Sequence, residues 1–467
     1  MSKRKNILLE EIEIIDVANK GKSVAKHNGV TIFTKGGVPG DICDINIFKK
    51  RKSYWEGNII ETHTYSKKRT KPRCEHFEIC GGCTWQNIEY KHQLEYKETQ
   101  ILNNLKRIGK ISSFKHNKIL PSKQAYFYRN KMEFGFSNKK WITQQEINLN
   151  VKINNRNALG LHVSGFYDKV IDLKNCYLQA EPANTIRLQI NEFAKKNKLS
   201  YYDIKNHQGL LRNLLIRITS IEEIMVLIQF GENNKKNIEL IMTYIKESFP
   251  EITSLLYIIN TKLNDSIFDQ KVICYSGRSY IMEKIDELYF KINAKTFFQT
   301  NSKQAEILYQ KIKGLASFKQ NDIVYDLYTG TGTIAQYISK YVKKVIGIDC
   351  VEDSINSAIE NAEHNKIENC SFYCGNMKNV LTEEFIKKSG NPNILITDPP
   401  REGMHKKVVK EIMNIMPQKI IYVSCNSSTQ ARDIEILSQK YKVVEVQPVD
   451  MFPQTYHVEN IVVLESK

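Results

Sequence analysis

The chain has 467 residues, of which 41% are hydrophobic and 25% charged, an ordinary composition for a globular protein with two or three packed cores. No run of eighteen or more apolar residues occurs, and Met1-Ser-Lys-Arg-Lys-Asn6 lacks the apolar stretch of a secretory leader. A cytoplasmic protein with no membrane partner is therefore expected. The formal net charge of +17 points to a polyanionic partner. Lys far outnumbers Arg, so coding bias accounts for part of this charge, but Lys49-Lys-Arg-Lys52 and Lys67-Lys-Arg-Thr-Lys-Pro-Arg73 concentrate it near the N-terminus.

Residues 8–60 carry short, partly alternating apolar runs (Ile12, Ile14, Ile32, Ile45, Ile47) separated by Asn19-Lys-Gly21, Asn28-Gly29 and Gly36-Gly-Val-Pro-Gly-Asp41. Short strands at this spacing, with this turn chemistry, predict a five-stranded OB-like β-barrel. The segment, with its Gly-Val-Pro-Gly-Asp turn, resembles a TRAM domain, which implies RNA binding. A cysteine-bearing loop follows over 62–85, with Cys74-x5-Cys80-Gly-Gly-Cys83, and Cys176 is the natural fourth ligand of a closed thiolate site. Four thiolates suit either an iron–sulfur cluster or zinc. The spacing differs from the Cys-x3-Cys-x2-Cys loop of radical enzymes.

A helix is predicted over 87–108, with Leu94, Ile101 and Leu105 on its apolar side. From 126 to 289, strands and helices alternate without a cofactor loop, which reads as a central α/β domain that positions the substrate. Tyr126-Phe-Tyr-Arg-Asn-Lys131 interleaves aromatic and basic residues there, a pattern shared by RNA-contacting strands and by ordinary solvated faces, and Leu211-Arg-Asn213 adds a second basic point.

After 289 the alternation becomes regular, with strands at 323–327, 344–348, 371–373, 393–397, 419–423, 443–447 and 460–464. This predicts a doubly wound, Rossmann-like sheet. The expected domains are a barrel over 1–64, a central α/β domain with the cysteine loop over 65–290, and the doubly wound domain over 291–467. Chemistry-bearing segments end the strands, where open α/β sheets bind ligands. Asp326-Leu-Tyr-Thr-Gly-Thr-Gly332 opens a helix over 334–342, with Ala335 standing in for a third glycine, and Asp349 ends the next strand. NAD and S-adenosyl-L-methionine both offer a ribose diol to such an acid. Asp326, Asp349, Asn376 and Asp398-Pro-Pro400, taken together, resemble the class I S-adenosylmethionine methyltransferases, whereas a dehydrogenase has no need of the Asp-Pro-Pro.

Cys425 ends a further strand in Ser424-Cys-Asn-Ser-Ser-Thr429, before a predicted helix whose N-terminus is expected to lower its pKa. The chain closely resembles the RNA uracil-5 C-methyltransferases through Phe297-Phe-Gln-Thr-Asn301, Asp326-Leu-Tyr-Thr-Gly330, Asp398-Pro-Pro-Arg401, Ser424-Cys-Asn426 and Asp450-Met-Phe-Pro453 with His457 and Glu459. These ordered motifs span most of the sequence. Amine methyltransferases favour an aromatic after Asp-Pro-Pro, and cytosine-5 enzymes a Cys; this chain has Arg401.

The resemblance implies that Cys425 adds to carbon 6 of uracil, making carbon 5 electron-rich enough to take the methyl group, and that Glu459 then removes the carbon 5 proton. It assigns Gln299, Tyr328, Asp349 and Asp398 to the cofactor, with Asp398 and Arg401 also near the uracil. The family usually carries Glu where this chain has Asp349. The resemblance also favours a [4Fe-4S] cluster on Cys74, Cys80, Cys83 and Cys176, a monomer, and the branch that acts on 23S rRNA. A tRNA substrate, or a non-catalytic RNA-binding assembly factor keeping the fold, are the alternatives.

Overall fold

The computed structural model describes residues 7–149 and 155–467. Its first unit is a closed barrel of five strands, Ile7–Val17, Ser23–His27, Val30–Thr34, Ile42–Lys50 and Tyr54–Thr64. Alternation puts Ile12, Ile14, Ala25, Ile32, Cys43, Ile45 and Ile47 inside. At Gly57 the opposing strand comes so close that a Cβ would stand 2.5 Å from Ile45 Cγ2. The turn acid Asp41 is fully buried and pairs with Arg69 at 2.7 Å, so one residue of the basic run ties the barrel to the cysteine loop.

The central sheet has six strands in the order Ile273–Gly277, Ile252–Ile259, Ile224–Phe230, Leu211–Ile218, Lys131–Ser137, Ala158–Gly160. Its pairs are antiparallel except Ile224–Phe230 with Ile252–Ile259, which are joined by the helix Lys235–Ser248. That helix and Ala183–Lys196 cover one face, burying Phe134, Leu214, Ile216, Val226 and Ile228. On the other face Leu215, Met225 and Leu227 join a second core with the hairpin Tyr280–Ile285/Leu288–Asn293.

The C-terminal sheet runs Cys370–Cys374, Lys344–Asp349, Ile323–Leu327, Ile394–Thr397, Lys419–Ser424, Glu459–Ser466, Tyr441–Val449, Lys115–His116. The first five strands are parallel, and Glu459–Ser466 enters antiparallel between the fifth and Tyr441–Val449. This is the doubly wound sheet expected from the alternation. The helix expected over 334–342 is shorter, Thr333–Ile338, and closes in a single tight turn over Ser339–Tyr341.

One segment lies elsewhere than the sequence placed it. The helix Tyr90–Arg107 and the strand Lys115–His116 pack on the C-terminal sheet, with Ile101 and Leu105 in its core. The buried face of that helix also carries Gln93 and Lys97, which pair with the loop before Glu459. No helix among the described residues is long and apolar enough to cross a membrane.

Candidate active site and four-cysteine pocket

The loop after Ile323–Leu327 holds three residues in the left-handed region, Tyr328 (φ 61°), Gly330 (55°) and Gly332 (73°). Such backbone is costly for tyrosine and marks a constrained turn. Thr329 Oγ1 donates to Asp326 at 2.6 Å, and the Gly330 N–H donates to Asp349 Oδ2 at 3.0 Å. A Cβ on Gly332 would strike the Phe372 ring at 2.8 Å, whereas one on Gly330 would meet nothing within 4 Å. Gly330 therefore faces open space above the strand ends, with Asp349 beside it. This cradle fits a nucleoside whose ribose diol the Asp349 carboxylate can accept.

Asp398 ends the neighbouring strand, Ile394–Thr397. Burial pushes Asp326 and Asp398 each up to about 7, and each carboxylate is raised further by a neighbouring acid. Two high-pKa acids on adjacent strand ends suit a cationic ligand such as a sulfonium, whose charge would draw them to the ionised form.

Cys425 follows Lys419–Ser424 and precedes the helix Ser427–Leu437, which Asn426 caps through Ser428 N–H at 3.1 Å. Asn426 Nδ2 and Thr429 Oγ1 both donate to the Arg401 carbonyl, at 2.9 and 3.1 Å, locking the Asp-Pro-Pro-Arg loop against the thiol's own turn. Ser424 pairs with Asn460, and Val449 with Glu459, so the next rung of the antiparallel ladder puts Cys425 beside Glu459. The two groups that the sequence singled out thus share one site.

The electrostatics correct one expectation. The helix N-terminus was expected to depress the Cys425 pKa; instead burial, followed by the Glu459 and Asp398 carboxylates, pushes the thiol up to about 12, with Arg401 opposing through charge and a hydrogen bond. Glu459 is 5% exposed, its Oε2 has no partner among the described residues, and burial with Asp398 nearby raises it well above the usual carboxylate range. A carboxylate in such a place is a strong base once ionised. His457 is held down to about 4 by burial and by Arg401, Lys97 and Arg129, so it is a neutral imidazole at this rim.

The segment that carries Gln299 is held by Asn130, whose Nδ2 binds the Gln299 carbonyl and Ser302 Oγ, both at 2.8 Å. The sequence missed the residues that hold the loop before Glu459. Lys97 pairs with Asp450 at 2.7 Å, both fully buried, and donates to the Phe452 carbonyl at 3.0 Å. Asn301 binds the Met451 carbonyl, Tyr128 that of Pro453, and the Thr84 and Trp85 amides that of Gln454. The available signal was spacing: Gln93 and Lys97 continue the four-residue ladder of Ile101 and Leu105.

Cys74, Cys80, Cys83 and Cys176 line one pocket together with Phe77, Leu161 and Leu173. A Cβ on Gly81 would stand 2.9 Å from the His162 carbonyl, so that glycine lets the loop approach the central domain. Burial raises all four thiols, those of Cys80 and Cys83 to about 12, and the other sulfurs of the group add to this at Cys74, Cys80 and Cys83. Among the described residues no group of three or more His, Cys, Asp or Glu side chains is arranged to hold a single metal ion. Four thiols that share a pocket can ionise together around a cationic group.

A family described as tRNA (Uracil-5-)-methyltransferase matches residues 269–467. A relative from Bacteroides thetaiotaomicron, named an uncharacterized RNA methyltransferase, is 46% identical over 97% of this chain and 100% of its own length. A namesake from Chlorobaculum tepidum is 37% identical over 97% and 96%. The crystal structure of Pyrococcus abyssi tRNA (uracil-54, C5)-methyltransferase with S-adenosyl-L-homocysteine superposes with a TM-score of 0.72 and 26% identity, covering 97% of this chain and all of that one. The chain belongs to the RNA uracil-5 methyltransferase family and is an S-adenosylmethionine-dependent RNA methyltransferase.

Proposed function

We propose that the enzyme methylates carbon 5 of a specific uridine in 23S rRNA through a covalent adduct between Cys425 and carbon 6. The observation that supports this reading is the ladder register, Ser424 opposite Asn460, whose next rung is Cys425 and the buried Glu459, with Glu459 Oε2 lacking a partner among the described residues. S-adenosylmethionine supplies the methyl group. The Cys425 thiol gives its proton to solvent, Arg401 stabilises the thiolate, and the thiolate adds to carbon 6, leaving carbon 5 as an enolate carbon that takes the methyl group as S-adenosylhomocysteine departs. Glu459 accepts the carbon 5 proton, and the carbon 6–sulfur bond breaks, restoring the ring and the thiolate. Gln299, Tyr328, Asp349 and Asp398 hold the cofactor, with Asp398 and Arg401 at the base. Cys74, Cys80, Cys83 and Cys176, which line one pocket, would hold a [4Fe-4S] cluster through their four thiolates. The barrel serves as a TRAM-like RNA contact in a monomeric cytoplasmic enzyme.

The barrel and the cysteine pattern support the ribosomal branch. A tRNA substrate is the second reading, favoured by the Pyrococcus abyssi enzyme, which aligns along 97% of this chain. Labelled S-adenosylmethionine with unmodified 23S rRNA and tRNA transcripts separates the two. Cys425→Ala is expected to abolish transfer, and Glu459→Gln to leave a protein–RNA adduct that survives denaturing electrophoresis. Undiminished turnover by either variant would remove the role assigned to it.

A further inference from the structure

The central sheet shows its helix-free face in two parts. One part is apolar and packs on the hairpin Tyr280–Ile285/Leu288–Asn293. The other carries polar and charged side chains on either side of Leu215 and Leu227 and floors a cavity of about 450 Å³, within the usual range for small-ligand sites. Period-two alternation and the strand register put Gly135, Asn213 and Gln229 in one cross-strand row, Lys131, Arg217 and Met225 in another, and Glu133, Leu215 and Leu227 between them, all on this face, with Glu133 pairing to Lys131 at 2.7 Å. The first two rows are four residues apart, roughly 13 Å at about 3.3 Å per residue.

Two buried donors of this cavity are unsatisfied. Gln229 is 2% exposed; its Oε1 accepts from Asn213 Nδ2 at 2.9 Å, which fixes the amide, and its Nε2 has no partner among the described residues. Arg217 is 3% exposed; it donates through Nη2 to the Thr296 carbonyl at 2.6 Å, and its Nε is likewise without a partner. A buried donor left unmade costs about 1–3 kcal/mol, so two of them lining one cavity indicate an acceptor-bearing occupant. Phe268, 63% exposed, stands at the mouth, and Lys295 adds a third cation to the end near Arg217. That end adjoins the catalytic cleft, because Asn130, next to Lys131, binds the Gln299 carbonyl.

We propose that this cavity is a second nucleotide-binding site, which takes an RNA nucleotide flanking the target uridine. Its phosphate lies toward Lys131, Arg217 and Lys295, and its base stacks on Phe268 with an acceptor on its edge toward Gln229. The span between the two rows matches the reach from a phosphate to the far edge of its base. The inference rests on RNA being the substrate, as proposed above, but not on the covalent chemistry of Cys425. Phe268 is exposed, so Phe268→Ala leaves the fold intact, and Gln229→Leu removes the free donor at nearly constant volume.

The test uses the full-length enzyme and a 23S rRNA transcript, with a tRNA transcript as the second arm. Ultraviolet crosslinking followed by tryptic mass spectrometry is expected to find a nucleotide on the peptide 263–271, which contains Phe268. Each variant is expected to weaken binding of the crosslinked transcript about tenfold, within the range for loss of one base stack. S-adenosylmethionine affinity and melting temperature should be unchanged in Phe268→Ala, and kcat at saturating RNA should be preserved. Crosslinks elsewhere with none on that peptide, or unchanged affinity in Phe268→Ala, would overturn the site. Undiminished transfer by Cys425→Ala with the crosslink intact would instead overturn the catalytic reading alone.

Discussion

Asp326, Asp398 and Glu459 bring acidic groups to the rim of one sheet, and each is raised by its burial and by a neighbouring carboxylate, except that Thr329 and a backbone amide oppose the shift at Asp326. Asp398 moves from its ordinary value of 3.8 to about 7. A carboxyl raised in the folded state binds its proton more tightly than in the unfolded chain. Its contribution to stability is therefore complete below 3.8 and is lost progressively as pH rises to about 7. Between pH 5 and 7 the melting temperature of the wild type is expected to fall with rising pH relative to that of Asp398→Asn, which has no proton to lose. Parallel melting curves for the two proteins would show that Asp398 is ionised throughout. The sequence made Asp398, Cys425 and Glu459 legible because each sits in a motif at a strand end. It could not give the direction of the Cys425 shift, because the acids that raise the thiol come from two other strands. A helix N-terminus is visible in a sequence; the charges facing it are not.

The strands of the doubly wound sheet were legible to within about two residues at most ends, because parallel buried strands read as continuous apolar runs. The helix Tyr90–Arg107 was legible as a helix but not as part of this sheet's packing, because its buried face is half polar. Gln93 and Lys97 look solvated until their partners are known, and Gln454 and Asp450 lie more than 350 residues away, at the same four-residue spacing. Tyr90 Oη also donates to Asp450, at 2.8 Å, so the acid is held by two residues of the same helix. The result is a clasp that fixes the loop before Glu459 from a helix far away in the sequence. Lys97→Met would strand a fully buried Asp450 and is expected to cost about 3–5 kcal/mol, read from the denaturant midpoint. Replacing both partners by apolar residues should recover much of that loss. A midpoint unmoved in Lys97→Met would mean that water reaches Asp450.

At the scale of the whole molecule the cysteine pocket is a junction rather than an appendage. Its loop binds the barrel through Arg69 and Asp41 and the central domain through Gly81 and His162; the Thr84 and Trp85 amides bind the Gln454 carbonyl. Gln86, between the loop and the pocket, accepts from the Cys74 amide at 3.0 Å. A cross-link from Cys74, Cys80 and Cys83 to Cys176 would close a loop of about 100 residues around this junction, and such closures remove about 4–5 kcal/mol of unfolded-state freedom in the chain-entropy account. Cys176→Ser is therefore expected to lower iron content per chain and the melting temperature together. It should also slow methyl transfer, although no cysteine of the pocket touches the reacting base, because the anchor of the loop before His457 and Glu459 loosens with it. Iron and sulfide analysis of the anaerobically purified protein, before and after the substitution, checks the first effect, and single-turnover transfer at saturating RNA checks the last. Full activity in a protein stripped of its metal would mean that Lys97, Tyr128 and Asn301 hold the loop without the cysteine junction.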